Sequence, residues 1–265
     1  MRHLSGWVPG SRMATGWLAA CLGLVMIVGC TTTTKRAPDQ EIARVNTHLA
    51  MQYLQRGDFE TAIEKLNKAL AADSALVETH ATAALIYDRV GKYDEAEDHY
   101  RQAIALTRPD SDDSASAYNN YGVFLCKRGK INDAADNFKR AFSNMFYNSP
   151  EVAYENAGVC LARQPGREGQ AEAYLRKALE LKPQLAMALQ TLAQLQFEQK
   201  HFLQARAFIQ RAHGAAAPTA ASLWLAYRIE RQLGDSKAAA DLAQQLRNRY
   251  ADTEQARQLA ELRDR

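Results

Sequence analysis

An alanine that returns at Ala62, Ala96, Ala134, Ala171, Ala205 and Ala239, at intervals of 34, 38, 37, 34 and 34 residues, constrains this chain more than any other feature. Self-similarity at that spacing implies a unit that cannot bury its own hydrophobic face and must stack on copies of itself. Five residues before the alanine stand Gly57, Gly91, Gly129, Gly166, Lys200 and Gly234. A helix ends there in a left-handed residue before the chain turns back. Seven residues after it stand Ala69, Ala103, Ala141, Ala178, Ala212 and Leu246, with Leu66, Tyr100, Phe138, Leu175 and Ile209 in between in the first five units. These positions share one face of a helix, so each unit reads as two antiparallel helices. The expected fold is all-α, a right-handed superhelical solenoid of about six helix-turn-helix pairs.

The spacing resembles the tetratricopeptide repeat. The first unit, from about Ala43 to Leu76, carries Ala50, Tyr53, Gly57, Phe59, Ala62, Leu66 and Ala69. The second repeats them as Ala84, Tyr87, Gly91, Tyr93, Ala96, Tyr100 and Ala103. Units three and four share another pattern, in the segments Tyr118 to Cys126 and Tyr154 to Cys160, with Tyr, Asn, Gly and Val in the same order. Units five and six are weaker copies, held by Phe197, Phe202, Ala205 and Ile209 and by Trp224, Tyr227, Gly234, Ala239 and Leu242. The repeats are assigned to residues 41–250, and the charged segment 251–265 to a helix that closes the stack. Between units two and three, Pro109 to Ser114 forms a polar insertion in which Ser114 or Asp113 is expected to cap the next helix. Its three Asp lack the glycine and bidentate glutamate of a calcium loop, so they are read as capping and solvation.

Residues 1–29 read as a cleaved leader, with Arg2 and Arg12, an apolar run from Trp17 to Val28 and no acidic residue. Ile27-Val28-Gly29-Cys30 resembles the lipobox of bacterial lipoproteins, in which the cysteine is acylated and becomes the new N-terminus. Several acyl chains at Cys30 would hold the protein at a membrane, and Thr31 in place of Asp points to the outer-membrane sorting route. Residues 30–40 are expected to be the acylated cysteine and a flexible tether.

The formal charge of +3 falls to about +1 without the leader, which removes the electrostatic footprint of a nucleic-acid binder. His48, His80, His99, His201 and His213 are scattered, with neither an H-E-x-x-H pair nor a Cys-x-x-Cys zinc arrangement. No nucleophile elbow or phosphate-cradling loop is present. The expectation is a non-enzyme without metal, cofactor or small-molecule substrate. Cys126 and Cys160 stand on equivalent helices 34 residues apart, and a disulfide between them is expected; two separately buried thiols are the alternative.

What remains is a binding surface. Counting along the first helices gives Thr47, Met51 and Leu54, then Ala81, Leu85 and Asp88, then Asn119, Asn120 and Val123, then Glu155, Asn156 and Val159. Met51, Leu54, Leu85, Val123 and Val159 would form an apolar stripe edged by the amides of Asn119, Asn120 and Asn156, suited to an extended or helical peptide. For the apolar residues inter-helix packing is an equal reading, and for the asparagines so is a hydrogen bond between repeats.

Lipobox cysteine, short tether, six repeats and the paired segments Tyr118 to Cys126 and Tyr154 to Cys160 together resemble the type IV pilus biogenesis lipoproteins, the pilotins of the pilus secretin. That resemblance implies a periplasm-facing outer-membrane lipoprotein that binds secretin subunits and promotes their localisation and multimerisation. Because the motif departs most in units five and six, the partner site is expected outside them. A general outer-membrane scaffold for cell-wall hydrolases or assembly machinery would share the same fold and anchor.

Overall fold

In the computed structural model, residues 36–262 are described; the expected leader and Cys30 lie outside them. Among the described residues the chain is all helix, in thirteen segments without a strand. Six antiparallel pairs follow one another: α1 (Arg36–Arg56) with α2 (Phe59–Ala72), α3 (Val77–Arg89) with α4 (Tyr93–Leu106), and α5 (Asp112–Lys127) with α6 (Ile131–Phe142). Then come α7 (Pro150–Leu161) with α8 (Glu168–Leu181), α9 (Ala186–Glu198) with α10 (Phe202–Ala215), and α11 (Ala220–Leu233) with α12 (Ser236–Arg249), closed by α13 (Glu254–Glu261). Each first helix touches the next first helix, α1 on α3 through to α9 on α11, whereas no second helix touches the next second helix. The first helices therefore form the inner, more closely spaced row of a curved solenoid.

The alanine code explains that stacking. Ala62, Ala96, Ala134, Ala171 and Ala205 are fully buried, and Leu66, Tyr100, Phe138, Leu175 and Ile209 are buried one turn on. A methyl side chain lets two helix backbones approach, and the larger residue then fills the gap with the next repeat. Gly57, Gly91, Gly129, Gly166 and Gly234 all take φ between 75° and 82°. Nothing lies within 4 Å of a Cβ built on any of these five, so backbone conformation and not crowding selects glycine. Lys200 holds the same turn at φ 63°. Gly122 and Gly158 work by the opposite logic. A Cβ on Gly122 would sit 2.8 Å from the Phe138 ring, and one on Gly158 would sit 2.5 Å from Leu175 Cγ and 3.1 Å from the Ala171 carbonyl oxygen.

Two expected boundaries move. Helix α1 begins at Arg36, so residues 36–40, expected in the tether, are helical. Pro38 falls in the first turn, where the missing N–H would have had no partner, and Asp39 there faces the positive end of the helix dipole. The cap of α5 is Ser111, whose side chain accepts from the Ser114 N–H at 3.1 Å, and not Ser114 or Asp113. Asp112 and Asp113 occupy the first turn instead. At the far end α13 buries Ala256 and Leu259 against α11 and α12, turning Glu254 and Arg257 outward.

Candidate protein-interaction surface

The inner row of first helices carries every residue of the expected stripe, but much of it is tied up within the solenoid. Asn156 Nδ2 donates to Asn119 Oδ1 at 2.9 Å, joining α7 to α5, and Asn119 is buried. Of the three asparagines only Asn120 is exposed. Cys126 and Cys160 join the same two helices through a disulfide, with Cα atoms 5.9 Å apart. Thr47 and Thr79 share a buried hydroxyl contact of 2.7 Å between α1 and α3, and Lys127 reaches Asp88 at 3.2 Å between α5 and α3. Glu155 turns its carboxylate toward the start of α9 and accepts from the Ala188 N–H at 2.8 Å. Burial raises the pKa of Glu155, and the Ala188 amide opposes that rise.

Met51, Leu54, Leu85, Val123 and Val159 are all half-buried. Leu54, Val123 and Val159 each pack against a separate core cluster, so they serve the solenoid and the surface together. In repeats one to three the inner face is thus a largely self-satisfied wall.

The open groove lies further along. A concavity of about 650 Å³ is lined by α7, α9 and α11, with Val159, Met187, Gln190, Gln194, Trp224 and Arg228 on its walls and Gln255 of α13 at its end. Units five and six, set aside on the strength of their weak motif, therefore supply most of this space. Met187, Gln190 and Gln194 have the same spacing as Ala221, Trp224 and Arg228 along their respective helices. That register was readable in the sequence; it was obscured because the motif marks packing positions, which say nothing of the face left open. Arg228 lies 4.4 Å over the Phe197 ring, and Gln194 donates to Glu198 at 2.6 Å. Among the described residues neither Arg163 nor Arg228 has a carboxylate within ion-pair distance. An apolar floor of Val159, Met187 and Trp224 with carboxamides around it suits a peptide, whose backbone groups need both donors and acceptors.

Buried polar residues at the repeat joints were missed by sequence reasoning. Glu230 is buried in α11, and both oxygens receive the Arg206 guanidinium of α10, Nε at 3.0 Å. Gln196, buried in α9, donates to Glu172 of α8 at 3.2 Å. His80 and His99 also meet, Nδ1 to Nδ1 at 2.9 Å. His80 Nε2 faces the Ser74 carbonyl at 2.9 Å, so Nε2 holds the proton and Nδ1 accepts from His99. Burial, and then the neighbouring His80, lowers the His99 pKa. Among the described residues no group of three or more His, Cys, Asp or Glu is placed to hold a metal ion.

Models of the tetratricopeptide repeat match residues 41–108, 78–145 and 152–185, together more than half of the chain. A Pseudomonas aeruginosa protein, type IV pilus assembly protein PilF, is 28% identical over 233 residues, covering 85% of this chain and 90% of its own. The crystal structure of PilW, described as a widely conserved type IV pilus biogenesis factor, superposes with a TM-score of 0.74 at 29% identity, over 83% of this chain and 99% of PilW. That of Pseudomonas aeruginosa PilF gives 0.72 at 26%, over 84% and 98%. The chain belongs to the tetratricopeptide-repeat family, and it is similar over most of its length to the type IV pilus assembly protein PilF and the type IV pilus biogenesis factor PilW.

Proposed function

We propose that this protein is a type IV pilus biogenesis lipoprotein of the outer membrane, anchored through acylated Cys30, that binds secretin subunits and promotes their localisation and assembly into the channel. The observation that carries the reading is 29% identity to PilW over 83% of this chain and 99% of PilW, where a Parabacteroides merdae tetratricopeptide-repeat protein that also covers 83% of this chain is 16% identical. The lipobox-like Ile27 to Cys30 supports the anchor. Binding is assigned to the inner face, with the groove between α7, α9 and α11 as its open part and Met51 and Leu85 as the apolar residues of the earlier repeats that belong to no core cluster. Confinement at the membrane raises the effective concentration of bound subunits, so modest affinity for each is sufficient.

Two measurements test the proposal separately. Cys30→Ala should lower secretin multimers in the outer membrane and reduce piliation; normal levels of both would remove the anchor from the mechanism. Trp224→Glu should weaken capture of secretin subunits at least about ten-fold, as loss of a buried aromatic anchor does. If Met51→Glu with Leu85→Glu has that effect and Trp224→Glu does not, binding belongs to the first repeats. Recovery of murein hydrolases in place of secretin from solubilised envelope would favour the general scaffold.

A further inference from the structure

The connections that lead from one repeat to the next all emerge on the edge where the parallel first helices begin. The longest of them among the described residues, 143–149, ends in water with Met145 87% and Phe146 51% exposed. This loop is braced. Asn144 Nδ2 donates to the carbonyl oxygens of Pro109 and Ser111, each at 3.1 Å, which fastens it to the preceding connection. Asn144 also accepts, from the Phe146 N–H at its side chain and from the Tyr147 N–H at its carbonyl oxygen. The Asn148 N–H donates to Asp112 Oδ1 at 2.7 Å. Five polar contacts thus hold an apolar tip away from the core, although both residues would bury surface by folding back. Leu106 and Leu181, 39% and 49% exposed, mark the neighbouring connections on either side.

We infer that this edge, with Met145 and Phe146 at its tip, is a docking surface for the phospholipid bilayer, a reading that rests on the acyl anchor proposed above. The chain enters on the same edge, at the start of α1, only six residues beyond Cys30. Six residues span at most about 20 Å, so an acylated Cys30 keeps that edge within reach of the lipid headgroups. An exposed Met and Phe are the kinds of side chain that seat in the interfacial region. The flanking exposed charges come within one of cancelling, Arg108, Lys139, Arg140 and Lys182 against Asp110, Asp113 and Glu180, so insertion is chiefly apolar and depends little on salt. The tip is too small to hold the protein on a membrane by itself. Once the anchor has confined the chain, it fixes which way the solenoid faces.

The test uses the full mature chain purified from membranes and reconstituted in phosphatidylethanolamine–phosphatidylglycerol vesicles whose acyl chains are brominated. Trp7 and Trp17 fall in the leader, so Trp224 is the single tryptophan of the mature chain. Phe146→Trp in a Trp224→Phe background should lose about two-fold of its emission to the bromines, at low and high salt alike, while wild-type Trp224 on the inner face stays unquenched. Met145→Trp in the same background repeats the measurement if the first variant folds poorly. An acylated mass with neither position quenched overturns the edge and leaves the anchor standing. A mass without acyl groups overturns both. Emission at 146 that responds to added secretin subunits and not to brominated lipid assigns the tip to the protein partner and also overturns the inference.

Discussion

The joint between repeats three and four and the joint between repeats five and six join equivalent first helices by opposite means. At the first, α5 and α7 are linked by the Cys126–Cys160 disulfide and the Asn119–Asn156 hydrogen bond, and within each repeat Gly122 brings α5 onto Phe138 of α6 and Gly158 brings α7 onto Leu175 of α8. At the second, α9 and α11 share no covalent link and meet through Arg228 over the Phe197 ring; buried Glu230 turns back to Arg206 on α10, as buried Gln196 does to Glu172 on α8 one joint earlier. Four residues before the turn residue, where these two stand, repeats one and two carry Tyr53 and Tyr87. A buried carboxylate with one partner stabilises less than an apolar contact of similar volume, but it fixes geometry. Where the inner face is stitched shut the repeats are stiff and offer little surface, and where it is unstitched the groove opens.

The largest expected effect removes the stitch. Replacing Cys126 and Cys160 with alanine should lower stability by about 3–4 kcal/mol in the chain-entropy description of a 34-residue loop. Denaturant unfolding of oxidised wild type against the double variant measures it, and an unchanged midpoint would erase the contrast between the joints. Next, Gly158→Ala should cost about 2 kcal/mol from overpacking against Leu175, with partial recovery when Leu175 is shortened to Val. Glu230→Gln, which leaves the partly exposed Arg206 only the more distant Asp235 carboxylate at 3.7 Å, is expected to cost about 1–1.5 kcal/mol. Hydrogen exchange should place that loss in α10 to α12; a loss spread evenly over the chain would show that the joints are not independent. The smallest effect is a gain: Lys200→Gly relieves a left-handed lysine and should add about 1 kcal/mol, read as a rise in melting temperature.

The helix pairs were legible because their signal is short-range. A left-handed turn needs glycine, an alanine is needed where backbones meet, and both recur at nearly fixed spacing. Lys200 could be assigned to its turn from register alone, and it adopts the same φ sign as the five glycines. The groove was less legible, since residues facing solvent on the inner row are under no packing constraint. Met187 and Trp224 look like two more apolar helix positions until the curvature is known. Glu230 was unreadable for a different reason: its partner lies 24 residues away on another helix, and burial of a carboxylate cannot be inferred until that guanidinium is in place. Asn119 and Asn156 stood between these cases. The sequence aligned them, but the 2.9 Å bond between them follows from the approach of α5 and α7.

That bond and the disulfide share a mechanical consequence. Both lie on the inner row, and a coil of stacked helices can uncoil only if its inner row spreads. Two ties on the inside of the bend therefore act as a chord across an arc, fixing the radius of curvature at one joint whatever happens at the others. Any extension of the coil must be taken up on either side of repeats three and four. The chain behaves as a spring with one covalently locked turn, since the inner-row ties at the other joints, Thr47 to Thr79, Asp88 to Lys127 and Glu155 to the Ala188 N–H, are non-covalent and can open and re-form.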